Sequence, residues 1–492
     1  MNVIHNDLTV KKIVKFRNKV CGINLFISLI FYLVVTLGLE RQWHLMLAYG
    51  LLLTGIHAAL LLSELRYRGL GLFLLFFTGS FMRLVLPIID NSQSAIEGAK
   101  FAYFYDYTGY IFPTAIAMEI YYMLFVLGLT YFSRDKILSI DISPLLKIKH
   151  FNWIISIMYV LGLLYSYAPG IFSFMGFMSM ILVSLNHICL IAMAFYCAFK
   201  DQRSTKIMFH IFIVLNLLIA IFLGFYKGHI IMPLVIYMLY YIMHKRIKGE
   251  RAITPRFVSI SLMGAFFLLF FIYPFMNAKR AMAGWNPTDG ATQNYSNIEI
   301  IFDVLNNSTY KLEDSNQDGI SSRLNSLDCN AYFYMFANEY GYHQDVLYAC
   351  FRQFWPKWLG RDTNDDVMLK PGYMLTSYMD SGHVVRNPEK SAANAGKFGS
   401  AYFWGGWPAA IFMCIFNAYL ISFLFGVCKK YITNIFSMLI FLTILMGALH
   451  CYEENTHSGG FSTAITFMIQ YILLRMTRNI HFNRRTRPVI NS

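Results

Sequence analysis

Apolar residues in this chain gather into long runs separated by short polar interruptions, and the runs recur from near residue 20 to near residue 476. Most of them approach the ~20 residues that a helix needs to cross the hydrocarbon core of a bilayer. The pattern predicts twelve spanning helices, near 20–39, 43–63, 69–89, 112–132, 152–168, 175–199, 207–224, 228–243, 257–277, 403–427, 432–450 and 460–476. The roughly ten-residue alternating strands of a membrane β-barrel are absent from the pattern. The expected fold class is an all-α polytopic membrane protein. One long stretch departs from the apolar rhythm: residues 278–402 are rich in Asn, Asp, Gly, Ser and Tyr, yet contain helical segments such as "NAYFYMFANEY" and "DVLYACFRQFW". Long ordered loops usually carry function. Three parts follow: an N-terminal bundle of about nine helices (1–277), a loop domain (278–402) that roofs the bundle, and about three C-terminal helices with a basic tail (403–492).

Composition sharpens this picture. Of the 492 residues 57% are hydrophobic and 14% charged, and the mean hydropathy is +0.48; soluble domains carry about 25% charged residues. The formal net charge of +14 would suit a nucleic-acid partner, but the cations fall at every second turn. One side holds Lys11, Lys12, Lys15, Arg17 and Lys19; Arg66 and Arg68; Arg134, Lys136, Lys147 and Lys149; Lys200, Arg203 and Lys206; Lys245, Arg246, Lys248, Arg251 and Arg256; Lys429 and Lys430; and the tail from Arg475 to Arg487. The opposite short turns hold only Arg41, Lys100 and Lys227. By the positive-inside bias both termini are cytoplasmic and the 278–402 segment is external. No nucleic-acid partner is expected. The first run, beginning near Cys21, is not followed by a small-residue cleavage site and reads as a retained span.

Candidate chemistry comes from the few charges that sit where cations are scarce. In "GFYKGHIIMPL" (224–234) Lys227 is either a snorkelling interfacial lysine or a cation holding a lipid-linked phosphate. Arg83 and Glu119 lie inside the third and fourth spans at similar depth and can pair across them; a substrate-facing Arg83 is the other reading. In the loop segment Arg280 follows a span, Arg323 opens an amphipathic stretch, and Arg386 neighbours His383 in "MDSGHVVRNP". A guanidinium suits a diphosphate because its fork donates two parallel bonds, and His383 is suited to accept a proton near neutral pH. Arg352 and Lys357 add two further loop cations. Eight cysteines form no CxxC or Cys/His metal spacing; a Cys329–Cys350 bridge is open if the loop faces an oxidising compartment. "DSNQDGISSRLN" begins like a calcium loop but has Asn325 where the bidentate glutamate belongs, so an Asx-rich turn is the alternative. With no HExxH, P-loop or dinucleotide fingerprint, neither cofactor nor metal is expected.

Several stretches, in order, resemble the Wzy-type polysaccharide (O-antigen or oligosaccharide repeat-unit) polymerases. "GKFGSAYFWGGWPAAIF" (396–412) is similar to the family's pattern where the outer loop re-enters the membrane: Gly399, Ala401, Tyr402, Gly406 and Trp407 match, while Ser400 and Trp404 depart from it. "FWPKWL" matches at Pro356 with Lys357 in place of arginine, and "GFYKG" places Lys227 where the family has arginine. The resemblance implies a GT-C-like, metal-independent glycosyltransferase of a bacterial inner membrane. Such an enzyme transfers a growing glycan from undecaprenyl diphosphate onto the next lipid-linked repeat unit, alongside a flippase and a chain-length regulator. In that reading Arg323, His383 and Arg280 serve the chemistry, and Lys227, Arg386, Arg352, Lys357, Tyr402 and Arg83 hold substrate. The loop aromatics Tyr332, Tyr334, Tyr340, Tyr342, Trp355, Trp358 and Tyr402 either stack on sugar faces or pack. Alternatives are an O-antigen ligase acting on a lipid A core, and a lipid-linked sugar flippase.

Overall fold

The computed structural model describes residues 7–37, 43–66, 84–89, 104–133, 146, 150–168, 171, 182, 185–222, 228–250, 254–267, 272, 275–276, 327–344, 377–379, 381–383, 396–431, 471–472 and 475–476. The regular elements among them are helices: α1 Asp7–Thr36, α2 Trp43–Arg66, a 3₁₀ turn Thr108–Tyr110 running into α3 Ile111–Ser133, α4 Phe151–Tyr167, α5 Leu185–Lys200, α6 Arg203–Phe222, α7 Gly228–Ile247, α8 Pro255–Phe267, α9 Leu327–Tyr340 and α10 Lys397–Tyr431. No strand occurs among the described residues. Among the described residues five segments are long and apolar enough to cross a membrane: Val14–Thr36, Trp43–Leu60, Thr108–Phe132, Arg203–Phe222 and Phe398–Leu420. Phe151–Tyr167, Leu185–Lys200 and Ile230–Lys245 are apolar but shorter. The protein is an all-α chain built on membrane-spanning helices.

The chain forms two compact units, one of residues 1–139, 277–425 and 447–466, the other of 140–276, 426–446 and 467–492. In the first unit α1 lies antiparallel to α3. Near one end Arg17 Nη1 donates to Thr130 Oγ1 (3.3 Å), and further along Asn24 Nδ2 donates to Glu119 Oε1 (2.5 Å). Ser28 meets the Tyr49 hydroxyl of α2 at 2.8 Å, and His57 of α2 reaches Glu119, so α2 and α3 point the same way. That is the direction the sequence expects for second and fourth spans. Helix α10 follows α3: Cys414 Sγ–H meets the Tyr121 carbonyl and Ser422 Oγ–H the Leu129 carbonyl, with Gly128 giving Ala418 room to approach.

The second unit repeats the alternation. Phe151 stacks on Tyr196 at 4.1 Å, while Gly162, two turns or more along α4, has the Asn186 backbone so close that a Cβ would lie 2.4 Å from its nitrogen. Helices α4 and α5 are therefore antiparallel. Thr205 Oγ1 donates to Asn152 Oδ1 (2.8 Å) and, further along both helices, Tyr159 stacks on Phe212, which makes α4 and α6 parallel. At the end where α5 finishes and α6 begins, Asp201 pairs with Lys206 and Lys248, and Lys200 bonds the Tyr196 hydroxyl. These are cations the sequence assigns to one side.

Boundaries differ from expectation at α1, which begins at Asp7 rather than near residue 20, and at the start of α10. The expected 175–199 span is described as a helix over Leu185–Lys200, and its expected start lies outside the described residues. The expected 403 start lies inside α10, which begins at Lys397 and breaks at Gly405 and Gly406.

Candidate functional site

Helix α9 comes from the hydrophilic segment, yet every residue from Leu327 to Ala337 is buried. Its polar groups are met individually. The Tyr107 hydroxyl donates to Asp328 Oδ1 (3.0 Å), in the first turn where the helix dipole favours a carboxylate. The Gly399 N–H donates to Asn330 Oδ1 (2.6 Å). Tyr332 donates its hydroxyl to the Tyr378 carbonyl (2.6 Å). α9 and the start of α10 meet so closely that a Cβ at Gly396 or Gly399 would fall 2.8 Å or 2.4 Å from the Asn330 amide. Both glycines of the "GKFG" stretch thus have a steric reason.

The break in α10 has another. Gly406 adopts φ 62, ψ −154, a region open essentially to glycine alone, and Pro408 supplies no N–H to continue the ladder. The Phe403 carbonyl, freed near the break, accepts the His343 N–H at 3.0 Å, so the strap leaving α9 caps the first piece of α10. Trp407 then donates Nε1–H to the Tyr32 hydroxyl (3.1 Å), and Tyr32 bonds Tyr334 (2.6 Å). One node ties α1, α9 and α10 together at the end where α1 finishes. Burial pushes the Tyr334 phenol well up, and its bond to Tyr32 adds to that.

Above this packed layer lies an exposed surface built from three segments. Tyr105 stacks on Tyr340 with centroids 4.5 Å apart, over Phe336. Tyr340 is 49% exposed and Tyr342 55%. Glu339 accepts the Tyr110 hydroxyl at Oε1 (2.8 Å), and Asp106 Oδ1 accepts the Thr108 N–H (2.9 Å). The 377–383 segment joins through the Phe104 N–H to Met379 carbonyl bond (2.8 Å), and Gly382 touches the Phe104 and Tyr105 rings so closely that a Cβ would lie 2.9 Å from either.

Two of the residues assigned to the site from sequence fall among those described. His383 is exposed, one residue past the Gly382 contact. Its Nδ1–H donates to the Ser381 carbonyl (2.8 Å), which leaves Nε2 as the proton-accepting nitrogen. Tyr402, expected to meet substrate, is 3% exposed: its ring packs among Tyr334, Phe398 and Trp407 and its hydroxyl donates to Asn338. Arg83, Lys227, Arg280, Arg323, Arg352, Lys357 and Arg386 lie outside the described residues, as do the calcium-like stretch 314–325 and Cys350. Cys329 is a free thiol, buried against Met379 Sδ, and burial pushes its pKa up. Among the loop aromatics, Tyr332 and Tyr334 are buried core while Tyr340 and Tyr342 face out.

A second polar cluster lies within the spans. Glu119, which from sequence can pair with Arg83, holds Asn24 and His57 on Oε1, and these three side chains are buried; the expected Arg83 pairing lies outside the described residues. Sequence reading passed over His57 and Asn24, although "CGINLF" and "TGIHAALLL" each set a polar group in an apolar run, the signal that marks functional or helix-joining positions in a bilayer. No group of three or more His, Cys, Asp or Glu suited to a metal ion occurs among the described residues. No family model matches the chain, and no curated protein and no solved structure is significantly similar to it.

Proposed function

We propose that this protein is a polysaccharide polymerase of the Wzy type. It joins lipid-diphosphate-linked oligosaccharide repeat units at the outer face of a bacterial inner membrane. The observation that carries this reading is the seating of α9. A helix of the hydrophilic segment is buried on the glycine-bearing start of α10, and that start is the stretch whose residues carry the family resemblance. Its seating brings tyrosines, a carboxylate and His383 to the bundle end.

In this reading the acceptor sugar hydroxyl attacks the anomeric carbon of the donor glycan, and the bond to the lipid diphosphate breaks. His383 Nε2 takes the hydroxyl proton, with the ring held by its Nδ1–H bond to Ser381. Charge developing on the leaving diphosphate is met by the loop arginines Arg323, Arg280 and Arg386, which need no metal for that task. Supplying the proton acceptor is worth about 100-fold or more in rate.

Gene deletion with complementation tests the reading. The deletion strain should display single repeat units on its lipid acceptor, and wild-type protein should restore long chains. His383→Ala should accumulate normally and restore chains at least about 100-fold more slowly. Absence of any glycan on the acceptor would identify a ligase instead, and lipid-linked units trapped on the cytoplasmic side would identify a flippase. Normal polymer in the deletion strain would remove the reading altogether.

A further inference from the structure

We infer that the exposed surface formed by Tyr105, Tyr340, Tyr342, Glu339 and Asp106 is a carbohydrate subsite that seats pyranose rings of a neutral stretch of glycan. The assignment rests on the polymerase reading only for the source of that glycan.

The chemistry of the surface selects its ligand. A pyranose offers an apolar C–H face and a rim of hydroxyls. Tyrosine matches that character because it presents large, stiff contact area at low entropic cost. The Tyr340 ring is backed by Tyr105 and Phe336, so it is held in place before any ligand arrives and binding orders little that was free. Glu339 is fixed through Oε1 by the Tyr110 hydroxyl, and no described residue bonds its Oε2. An exposed carboxylate oxygen beside an aromatic ring is a strong acceptor for a sugar hydroxyl.

Charge excludes the obvious competitors. No lysine or arginine lies among the described residues of 104–110, 338–344 and 381–383, while Asp106 and Glu339 do. The Glu339 carboxylate repels a phosphate, so the Tyr340 ring and the Glu339 Oε2 beside it do not suit the diphosphate of a lipid-linked substrate. The same repulsion opposes docking onto anionic lipid headgroups, the other setting in which tyrosines gather. Neutral hydroxyls suit both the rings and the Glu339 carboxylate.

The protein purified into lipid nanodiscs should bind oligosaccharides released by mild acid from the producing cell's lipid-linked pool, read by titration calorimetry and by saturation transfer to sugar protons. Tyr340→Ala and Glu339→Gln should each weaken binding about tenfold, the scale set by truncating a central anchor. Tyr340→Phe should stay within about twofold, because stacking survives. Thermal unfolding of these exposed-site variants should match wild type. Wild type that binds none of these oligosaccharides at millimolar concentration overturns the subsite, and so do variants that bind as wild type does. A Tyr340→Ala protein that inserts poorly but binds glycan normally also overturns it, and marks an interfacial aromatic belt instead. Loss of polymer on gene deletion combined with unaltered binding in the variants removes the subsite alone. Normal polymer on deletion removes the polymerase reading and leaves the binding result standing.

Discussion

Glu119 is fully buried between spanning helices, where no bulk water can solvate a carboxylate, and its partners come from two other helices. Removing it strands the Asn24 amide and takes one bond from the His57 ring, and an unpaired buried polar group costs about 1–3 kcal/mol. Glu119→Ala should therefore lose about 2 kcal/mol or more of stability, whereas Glu119→Gln keeps an acceptor oxygen and should lose about 1 kcal/mol or less. Thermal unfolding in detergent separates the two; equal melting temperatures would make the cluster dispensable. Gly399 presents the steric counterpart. Its absent Cβ would meet Asn330 Oδ1 at 2.4 Å, and a helix-start backbone cannot retreat without losing the N–H bond to the same atom. Gly399→Ala should cost about 1–3 kcal/mol by overpacking, and reduced abundance of folded protein would register it.

Among the elements, α2 and α3 lie within about three residues of the ends expected from sequence, because apolar runs with polar flanks state their own limits. The start of α10 was not legible in that way. Its first residues, "KFGSAYFW", serve as a buried docking surface for α9 and also as the lead-in to a span, and hydropathy cannot tell those roles apart. α9 itself was visible as a helix, but its burial was not, because Asp328, Asn330 and Tyr332 read as surface until Tyr107, Gly399 and Tyr378 are brought to them. The pairing of Glu119 with His57 was hidden for the same reason: depth can be read along one helix, but rotation about its axis cannot. The break at Gly406 offers a test at this scale. Gly406→Ala introduces both an unfavourable backbone, costing about 1–3 kcal/mol, and a Cβ 2.5 Å from the Tyr342 hydroxyl. Adding Tyr342→Ala relieves the clash alone, so the double variant should recover only part of the lost melting temperature. Full recovery would mean that the backbone conformation carries no strain.

At the scale of the molecule, the charge alternation makes a claim about sides of the membrane. Reporter fusions at the turns after Lys200 and Gly249 should read cytoplasmic, and a fusion at Gly341, just past α9, should read external. A cytoplasmic signal at Gly341 would place the aromatic surface out of reach of any external glycan. The node that joins Tyr32, Tyr334 and Trp407 bears on something other than architecture, namely the timing of synthesis. Tyr32 and Trp407 are 375 residues apart in the chain, so at about 5–20 residues per second roughly 20 to 75 seconds pass between their emergence from the ribosome. Until α9 and then α10 emerge, the end of α1 is in the membrane without its full set of partners at the node, and a translocation partner or a protease meets it in that state. A nascent chain stalled before residue 400 should therefore be degraded faster than one stalled beyond residue 431, with Tyr32 reachable by a cross-linker in the first and shielded in the second.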